Sequence, residues 1–150
     1  MMRYALCYAT CLLLIACTDG TMLHTYKPLP QEGWDRSDTL VFDIPQAEAD
    51  IDGTLTVGLR TAAHVDMQSI ALAVELCDAK GNCHRNTLHY PLTDSDGNAL
   101  AKGVNHHQYE TQHLPLHLKK GQQTTVRIHH LMTHDTMVGI TEIGIKIDRR

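Results

Sequence analysis

The chain has 150 residues, of which 43% are hydrophobic and 20% charged, with a formal net charge of −4 at pH 7. This length suits one domain of ordinary size, and the composition argues against a disordered polypeptide. The net acidic charge offers no basic face of the kind that binds nucleic acid, so no nucleic-acid partner is expected.

The N-terminus combines a basic start with a short apolar run. Arg3 precedes residues 4–15, which carry no charge. This run is shorter than the about 20 residues that a membrane-spanning helix needs, and it is typical of a secretory signal. Residues 14–17, Leu-Ile-Ala-Cys, resemble the lipobox of bacterial lipoproteins. That resemblance implies cleavage between Ala16 and Cys17; an ordinary signal with an incidental cysteine is the alternative.

The lipobox interpretation implies a membrane anchor made of lipid. Residues 1–16 are the predicted signal peptide, and Cys17 then carries acyl chains such as palmitate on its sulfur and its new amine. Each buried methylene contributes about 0.8 kcal/mol, so two or more chains hold a protein firmly on a bilayer. No later run in the sequence approaches the roughly 18 apolar residues of a membrane helix.

Residues 17–36 are predicted to be a lipidated N-terminus and tether. Pro28 and Pro30 interrupt regular structure there. Trp34 is a candidate for packing this segment against the domain, because its large ring has a strong tendency to be buried. Residues 37–150 are then the folded domain.

Alternation of apolar and polar residues predicts strands through that domain. Leu40, Phe42 and Ile44 face one side of the first strand, and Val41 and Asp43 face the other. Comparable strand-like stretches lie at residues 55–59, 70–76, 84–92, 112–118, 125–131 and 143–147. Turn-forming sequences separate them. Several short strands in this arrangement predict an all-β fold, an antiparallel β-sandwich of Ig-like or jelly-roll-like type.

Cysteine positions predict one disulfide bond. Cys7 and Cys11 leave with the signal peptide, so Cys77 and Cys83 remain in the domain. Residues 78–82 between them are turn-forming, and opposed residues beside a hairpin turn have a Cβ separation that a disulfide can bridge. An extracytoplasmic compartment permits such bonds. Two free, buried thiols are the alternative, and no zinc site is indicated because a second cysteine pair is absent.

Segments across the mature chain carry a resemblance to a known family. They are residues 26–30 (YKPLP), 33–36 (GWDR), 38–42 (DTLVF), 92–97, 101–103, 126–132 and 139–147. In these segments the chain resembles the gliding-motility lipoprotein H family of Bacteroidota. The resemblance implies a lipoprotein associated with the outer membrane and linked to the gliding machinery of motile members. It brings no catalytic residue, and the cysteine pair and the many histidines depart from the family pattern.

Eleven histidines raise the hypothesis of a metal site. His113 and His117 share a face if their segment is extended, but four residues along a strand span about 13 Å. A zinc ion binds its ligands at about 2 Å, so these two cannot share one ion. The neighbours in the pairs 106–107 and 129–130 face opposite sides of a strand. Scattered surface histidines are therefore the favoured interpretation, with no metal or cofactor expected.

Two acidic turns imitate the start of a calcium-binding loop. Residues 94–98 place Asp, Asp and Asn at alternate positions, but the glycine is at position four and the closing glutamate is missing. Residues 50–53 fail in the same way, and turn chemistry explains both.

No serine lies in a nucleophile elbow and no glycine-rich phosphate loop exists. We expect no catalytic residues.

The sequence leaves two functions open. The first is a non-catalytic lipoprotein, anchored in the outer membrane by its acyl chains, that docks other envelope proteins; which face of that membrane it occupies is not decided by the sequence. The second is a glycan- or ligand-binding sandwich module, for which Trp34 and Tyr26 could form a small aromatic platform. Packing of Trp34 onto the sheet is the alternative use of that residue.

Overall fold

The computed structural model describes residues 20–101, 103, 106–110 and 113–150. Ala16 and Cys17, the predicted cleavage and lipid-attachment positions, lie outside the described residues. The described residues form eleven strands and no helix: β1 (Thr21–Pro28), β2 (Trp34–Asp35), β3 (Leu40–Ile44), β4 (Ile51–Ala62), β5 (Ser69–Asp78), β6 (Cys83–Pro91), β7 (His106–Glu110), β8 (Leu114–Leu118), β9 (Thr124–His130), β10 (Thr136–Met137) and β11 (Ile140–Arg149). This part of the chain therefore contains no helix able to cross a membrane.

Two main sheets make up the fold. The first has five strands in the order β1-β11-β4-β7, with β8 also paired to β4. The second has four strands in the order β3-β9-β5-β6, and β2 and β10 form a separate short pair. Each of these pairings is antiparallel. The predicted all-β, antiparallel sandwich is confirmed.

Both sheets contribute to one apolar core. Leu55, Val57 and Leu59 of β4 are fully buried, and so are Leu72 and Val74 of β5. They belong to one cluster of buried side chains drawn from both sheets. Burying one such side chain contributes about 1.5–3 kcal/mol, so the contact between the two inner faces is the main source of stability.

Residues 21–28, which belong to the segment predicted as a tether over 17–36, form an edge strand. β1 pairs with β11 along its whole length, with one irregularity near its start. Exposed and half-buried side chains alternate only weakly along β1, because an edge strand has one neighbouring strand and is covered on one face. Pro28 is tolerated because the end of an edge strand needs no further donor. The alternation rule therefore misses this strand.

Lys27 of β1 points toward the inner side of the sandwich. It lies opposite the buried Ile143 of β11. Its ammonium group is 5.2 Å from the centroid of the Phe42 ring and donates a hydrogen bond to the carbonyl oxygen of Val41. Because β1 and β3 are the edge strands of the two sheets, this side chain bridges the sheets along one side of the sandwich.

The strand directions give the sandwich two distinct ends. β4 runs from Ile51, opposite Leu118, to Ala62, opposite His106. Short connections then assign each remaining segment to one end. The terminal end contains residues 20–21, 45–50, 79–82, 119–123 and 149–150. The loop end contains residues 29–39, 63–68, 92–101 and 131–139.

Candidate functional site

Exposed apolar side chains concentrate at the loop end. Four large hydrophobic side chains are exposed in the part of the chain that the structure describes. Leu100, Leu131 and Val138 lie in the loop end, and Val138 is the most exposed at 61%. The fourth, Val41, lies on the outer side of β3. Of these side chains, Val138 lines a cleft between the loops, whereas Leu100 and Leu131 line other depressions.

A cleft of about 530 Å³ lies between the loops at this end. We call it the loop-end cleft, and its apolar walls are Val65, Met67, Met132, Met137 and Val138. Methionine side chains are flexible and polarizable, and they are used at surfaces that accept varied apolar partners. The cleft is thus suited to an apolar side chain of another polypeptide.

Backbone contacts hold the walls of the cleft in place. The amide of Ala62 donates to the carbonyl of Gly139 at 2.9 Å, and the amide of Leu131 donates to the carbonyl of Ala71 at 2.8 Å. Gly139 has a φ of +91°, and a Cβ there would lie 2.7 Å from the Val65 side chain. Glycine is therefore required where the two loops meet. The cleft is preformed by these contacts.

Trp34 supports the loop end from inside. Its side chain is 0% exposed, and its indole Nε1 donates to the carbonyl of Asp38 at 3.0 Å. Trp34 also pairs with Met137, which joins β2 to β10 beneath the cleft. The residue is thus packed inside the fold and offers no face for a sugar ring.

His130 lies against Trp34 and is 1% exposed. Its ring meets the indole edge-on at 5.3 Å, and Nε2 lies 3.2 Å from the Trp34 carbonyl oxygen. A carbonyl oxygen only accepts, so Nε2 carries the proton and Nδ1 has none in the neutral ring. Nδ1 has no hydrogen-bond partner among the described residues. Burial lowers the pKa of this imidazole below its ordinary value.

Acidic side chains predominate in the segments of the loop end. The described residues of the loop end include seven carboxylates and a single arginine, namely Glu32, Asp35, Asp38, Asp66, Asp94, Asp96, Asp135 and Arg36. Hydrogen bonds from Ser37 lower the pKa of Asp35, and hydrogen bonds from Asn98 lower that of Asp94. The carboxyl groups of Asp35 and Asp94 therefore stay ionised at neutral pH.

The two ends of the sandwich differ in charge. The segments of the terminal end contain five basic side chains and two acidic ones, namely Lys80, Lys119, Lys120, Arg149 and Arg150 against Glu48 and Asp50. The loop end is strongly negative by comparison. A potential of one sign over one end guides the approach of partners with the opposite sign.

Cys77 and Cys83 lie at the terminal end, away from the cleft. They are opposite each other in the β5–β6 pair and are joined by a disulfide bond with Cα atoms 4.1 Å apart. In the turn between them the Asp78 carboxylate accepts hydrogen bonds from the amides of Lys80 and Asn82, both at 2.9 Å. The bond therefore closes a hairpin that is already ordered by its turn.

Tyr26 is covered on both faces. One face lies on Gly58 and Gly144 of the neighbouring strands, where a Cβ would come within 2.3 Å and 2.5 Å of the tyrosine. The guanidinium carbon of Arg60 lies 3.8 Å from the ring centroid, and Arg60 pairs with Glu142 at 2.7 Å. The aromatic platform that the sequence suggested for Trp34 and Tyr26 therefore does not form.

The predicted separation of the histidines is seen in their contacts. Nδ1 of His117 lies 2.5 Å from a carboxylate oxygen of Asp52, and Nδ1 of His113 lies 2.8 Å from the hydroxyl of Thr56. The structure shows no group of three or more metal-ligating side chains within its described ranges.

In the acidic turn at residues 94–98, one carboxylate oxygen of Asp94 accepts hydrogen bonds from the backbone amides of Asp96 and Asn98.

Sequence reasoning missed the loop-end cleft. The apolar residues Met132 and Val138, which line it, lie outside regular strand alternation, and that is the one signal the sequence offers. Their joint position depends on which loops share an end of the sandwich, which alternation along a single strand does not determine.

Comparison with known proteins gives one family. A family model described as GldH lipoprotein matches residues 21–147. No curated protein matches the chain.

Solved structures are similar at low identity. A mosquito-larvicidal Cry4Aa toxin from Bacillus thuringiensis matches with a TM-score of 0.47 and 10% identity over 83% of this chain. A cycloalternan-forming enzyme from Listeria monocytogenes matches with a TM-score of 0.44 and 18% identity over 87% of this chain. A CocE/NonD family hydrolase from Staphylococcus aureus matches with a TM-score of 0.43 and 10% identity over 87%. The matched regions span 21%, 11% and 33% of those three chains.

Proposed function

The chain belongs to the GldH lipoprotein family, and from this premise we propose that it is a non-catalytic lipoprotein of the gliding-motility type. In this proposal acyl chains on Cys17 anchor it in the outer membrane, and the folded domain docks other envelope proteins. The family match over residues 21–147 is the observation that carries the proposal.

The position of β1 supports a close attachment to the membrane. Thr21 begins β1 and follows Cys17 by four residues. At 3.3–3.6 Å per residue, four residues reach at most about 14 Å. A domain anchored at Cys17 is therefore held near the bilayer by its terminal end.

The polar contacts of the sheet support a role in binding rather than in catalysis. Arg60 is engaged by Tyr26 and Glu142, and Asp94 is engaged by the amides of its own turn. These groups hold the sheet and its turns in place. Among the described residues, apolar side chains at the loop end are exposed, and such side chains suit contact with another protein.

Metabolic labelling with an alkyne analogue of palmitate tests the anchor. We expect label in the parent protein and in a Thr18→Ser control, and none in Cys17→Ser. Mass spectrometry should give an N-terminus at Cys17 with a modified sulfur. An unmodified thiol there, or an N-terminus at another residue, would contradict the anchor.

Affinity isolation of the membrane-bound protein tests docking against the glycan alternative. We expect protein partners to stay with the tagged lipoprotein and oligosaccharides not to be retained. Retention of a defined oligosaccharide together with loss of all protein partners would favour the glycan-binding module instead.

A further inference from the structure

The loop end points away from the membrane if the proposed anchor at Cys17 is right. β11 connects the two ends with ten residues, from Ile140 to Arg149. At about 3.3 Å per residue such a strand is roughly 30 Å long. The terminal end lies next to the anchor, so the loop-end cleft faces the space beyond the bilayer surface.

The apolar groups of this end are exposed although the loops that carry them are ordered. Val138 is 61% exposed and Leu131 38%, while their neighbour Met137 is 4% exposed. Hydrogen bonds tie these loops to β4 and β5, so the side chains stay at the surface. Covering apolar surface contributes about 25 cal/mol per Å², which gives a partner that shields them a direct gain.

The surrounding charge selects the kind of occupant. Asp66 lines the cleft, and Asp135 lies between two residues that line it. Asp135 is 3.9 Å from the guanidinium group of Arg36, but its side chain is 88% exposed and can meet a second cation. Like charges facing each other across an interface cost several kcal/mol, so an anionic lipid surface or the acidic loop end of a second copy fits poorly. A segment with lysine or arginine beside an apolar residue complements both the charge and the cleft.

We propose that the loop-end cleft docks a basic segment of another envelope protein, whose apolar side chain enters between Met67 and Val138 while its cationic side chains meet Asp66 and Asp135. This proposal rests on the proposed function and specifies the surface through which docking takes place.

Photocrosslinking in the native host tests the surface. A benzophenone amino acid replaces Val138 in the full-length lipoprotein, and the matched control carries it at Val41, an exposed valine on the outer side of β3. We expect a protein adduct about tenfold stronger at 138 than at 41, the ratio that about 1.4 kcal/mol produces. The crosslinked partner peptide, sequenced by mass spectrometry, should contain lysine or arginine next to an apolar residue.

Charge reversal tests the chemistry of the partner. Asp66→Lys should reduce the adduct at 138 about tenfold, because it replaces attraction by repulsion beside the cleft. Asp43→Lys, an exposed acid on the outer side of β3, should leave the adduct unchanged.

Several outcomes would overturn the proposal. An adduct at 41 and none at 138 places docking elsewhere and leaves the proposed function standing. An adduct at 138 with an acidic peptide, with a second copy of this chain or with lipid contradicts the proposed occupant. If labelled, membrane-bound protein gives no adduct at either position and retains no protein partner, both docking and the cleft are wrong.

Discussion

Buried polar side chains are costly unless their hydrogen-bonding groups are satisfied, and His130 meets this condition at one nitrogen only. Nε2 donates to the Trp34 carbonyl, whereas Nδ1 has no partner within the described part of the chain. Protonation would place a second donor at Nδ1 in an apolar environment. Burial is accordingly the main cause of the lowered pKa. The Trp34 carbonyl and Asp35 raise the pKa by smaller amounts, and Arg36 and His129 lower it further.

The lowered pKa of His130 predicts a loss of stability in mild acid. In the unfolded chain the imidazole titrates at its ordinary value of 6.5, while in the fold it takes up its proton at lower pH. As the pH falls through 6.5, the unfolded state binds the proton first, so the free energy of unfolding decreases until the folded pKa is reached.

Urea unfolding between pH 7.5 and pH 5 measures this effect. We expect His130→Gln to flatten the fall in unfolding free energy, and His129→Gln, the neighbour on the opposite face of β9, to keep it. An unchanged pH dependence in His130→Gln would show that another group is responsible.

Strands can be predicted from local sequence patterns where the two faces of a strand lie in different environments. Alternation in β3 predicts the buried Phe42 and Ile44 correctly. The residues of β1 and β7 alternate poorly because edge positions bury few side chains, and Tyr109 is the one buried residue of β7. Glycines within the strands are informative too, since Gly58 and Gly144 make room for the Tyr26 ring.

The candidate sites differ in how much of each can be predicted from the sequence. The prediction for Cys17 uses a local motif, and the prediction of the Cys77–Cys83 pairing uses a turn of known character, so both depend on short-range chemistry alone. The loop-end cleft unites residues 63–68 with residues 131–139, which are far apart in the chain. Only the strand order brings these segments together, and no local pattern gives that order.

The β5–β6 hairpin predicts a measurable contribution from its disulfide. A closed loop of about seven residues restricts the unfolded chain by about 2 kcal/mol in the chain-entropy model. Replacing Cys77 and Cys83 together by serine should lower the unfolding free energy by this amount in urea. Because the bond lies at the terminal end, the adduct at position 138 should persist in the double variant.

A reducing agent provides the control for this prediction. It should destabilise the parent protein to the level of the double serine variant and leave that variant unaffected. Equal stability of parent and variant under oxidising conditions would contradict a stabilising role for the bond.

At the scale of the whole molecule, the difference in charge and the proposed membrane attachment lie along one axis, which runs from the terminal end to the loop end. The terminal end has more basic than acidic side chains and contains the start of β1, while the loop end carries the excess of carboxylates. In the proposed arrangement, a short connection between Cys17 and β1 fixes the height above the bilayer at which the cleft meets a partner. In that arrangement, binding of a partner depends on the distance of the cleft from the bilayer as well as on affinity.

Lengthening the connection tests this dependence on height. Ten glycine and serine residues inserted between Cys17 and Thr21 add a flexible segment with a typical span of about 17 Å. We expect the unfolding free energy to stay within about 0.5 kcal/mol of the parent, because the insertion lies before β1. The adduct at position 138 should decrease. An undiminished adduct would show that the partner reaches the cleft at any height.

Lys27 has a consequence for crowding on the membrane. Lipid attachment confines many copies to two dimensions, where the exposed edges of neighbouring sheets meet often. An edge strand with open backbone groups can recruit an identical strand and start a polymer, and an inward-pointing charge is one way in which proteins prevent this. A foreign strand entering between β1 and β3 would have to displace the ammonium group from the Val41 carbonyl and the Phe42 ring. The lysine thus favours separate molecules at a surface where aggregation would otherwise be easy.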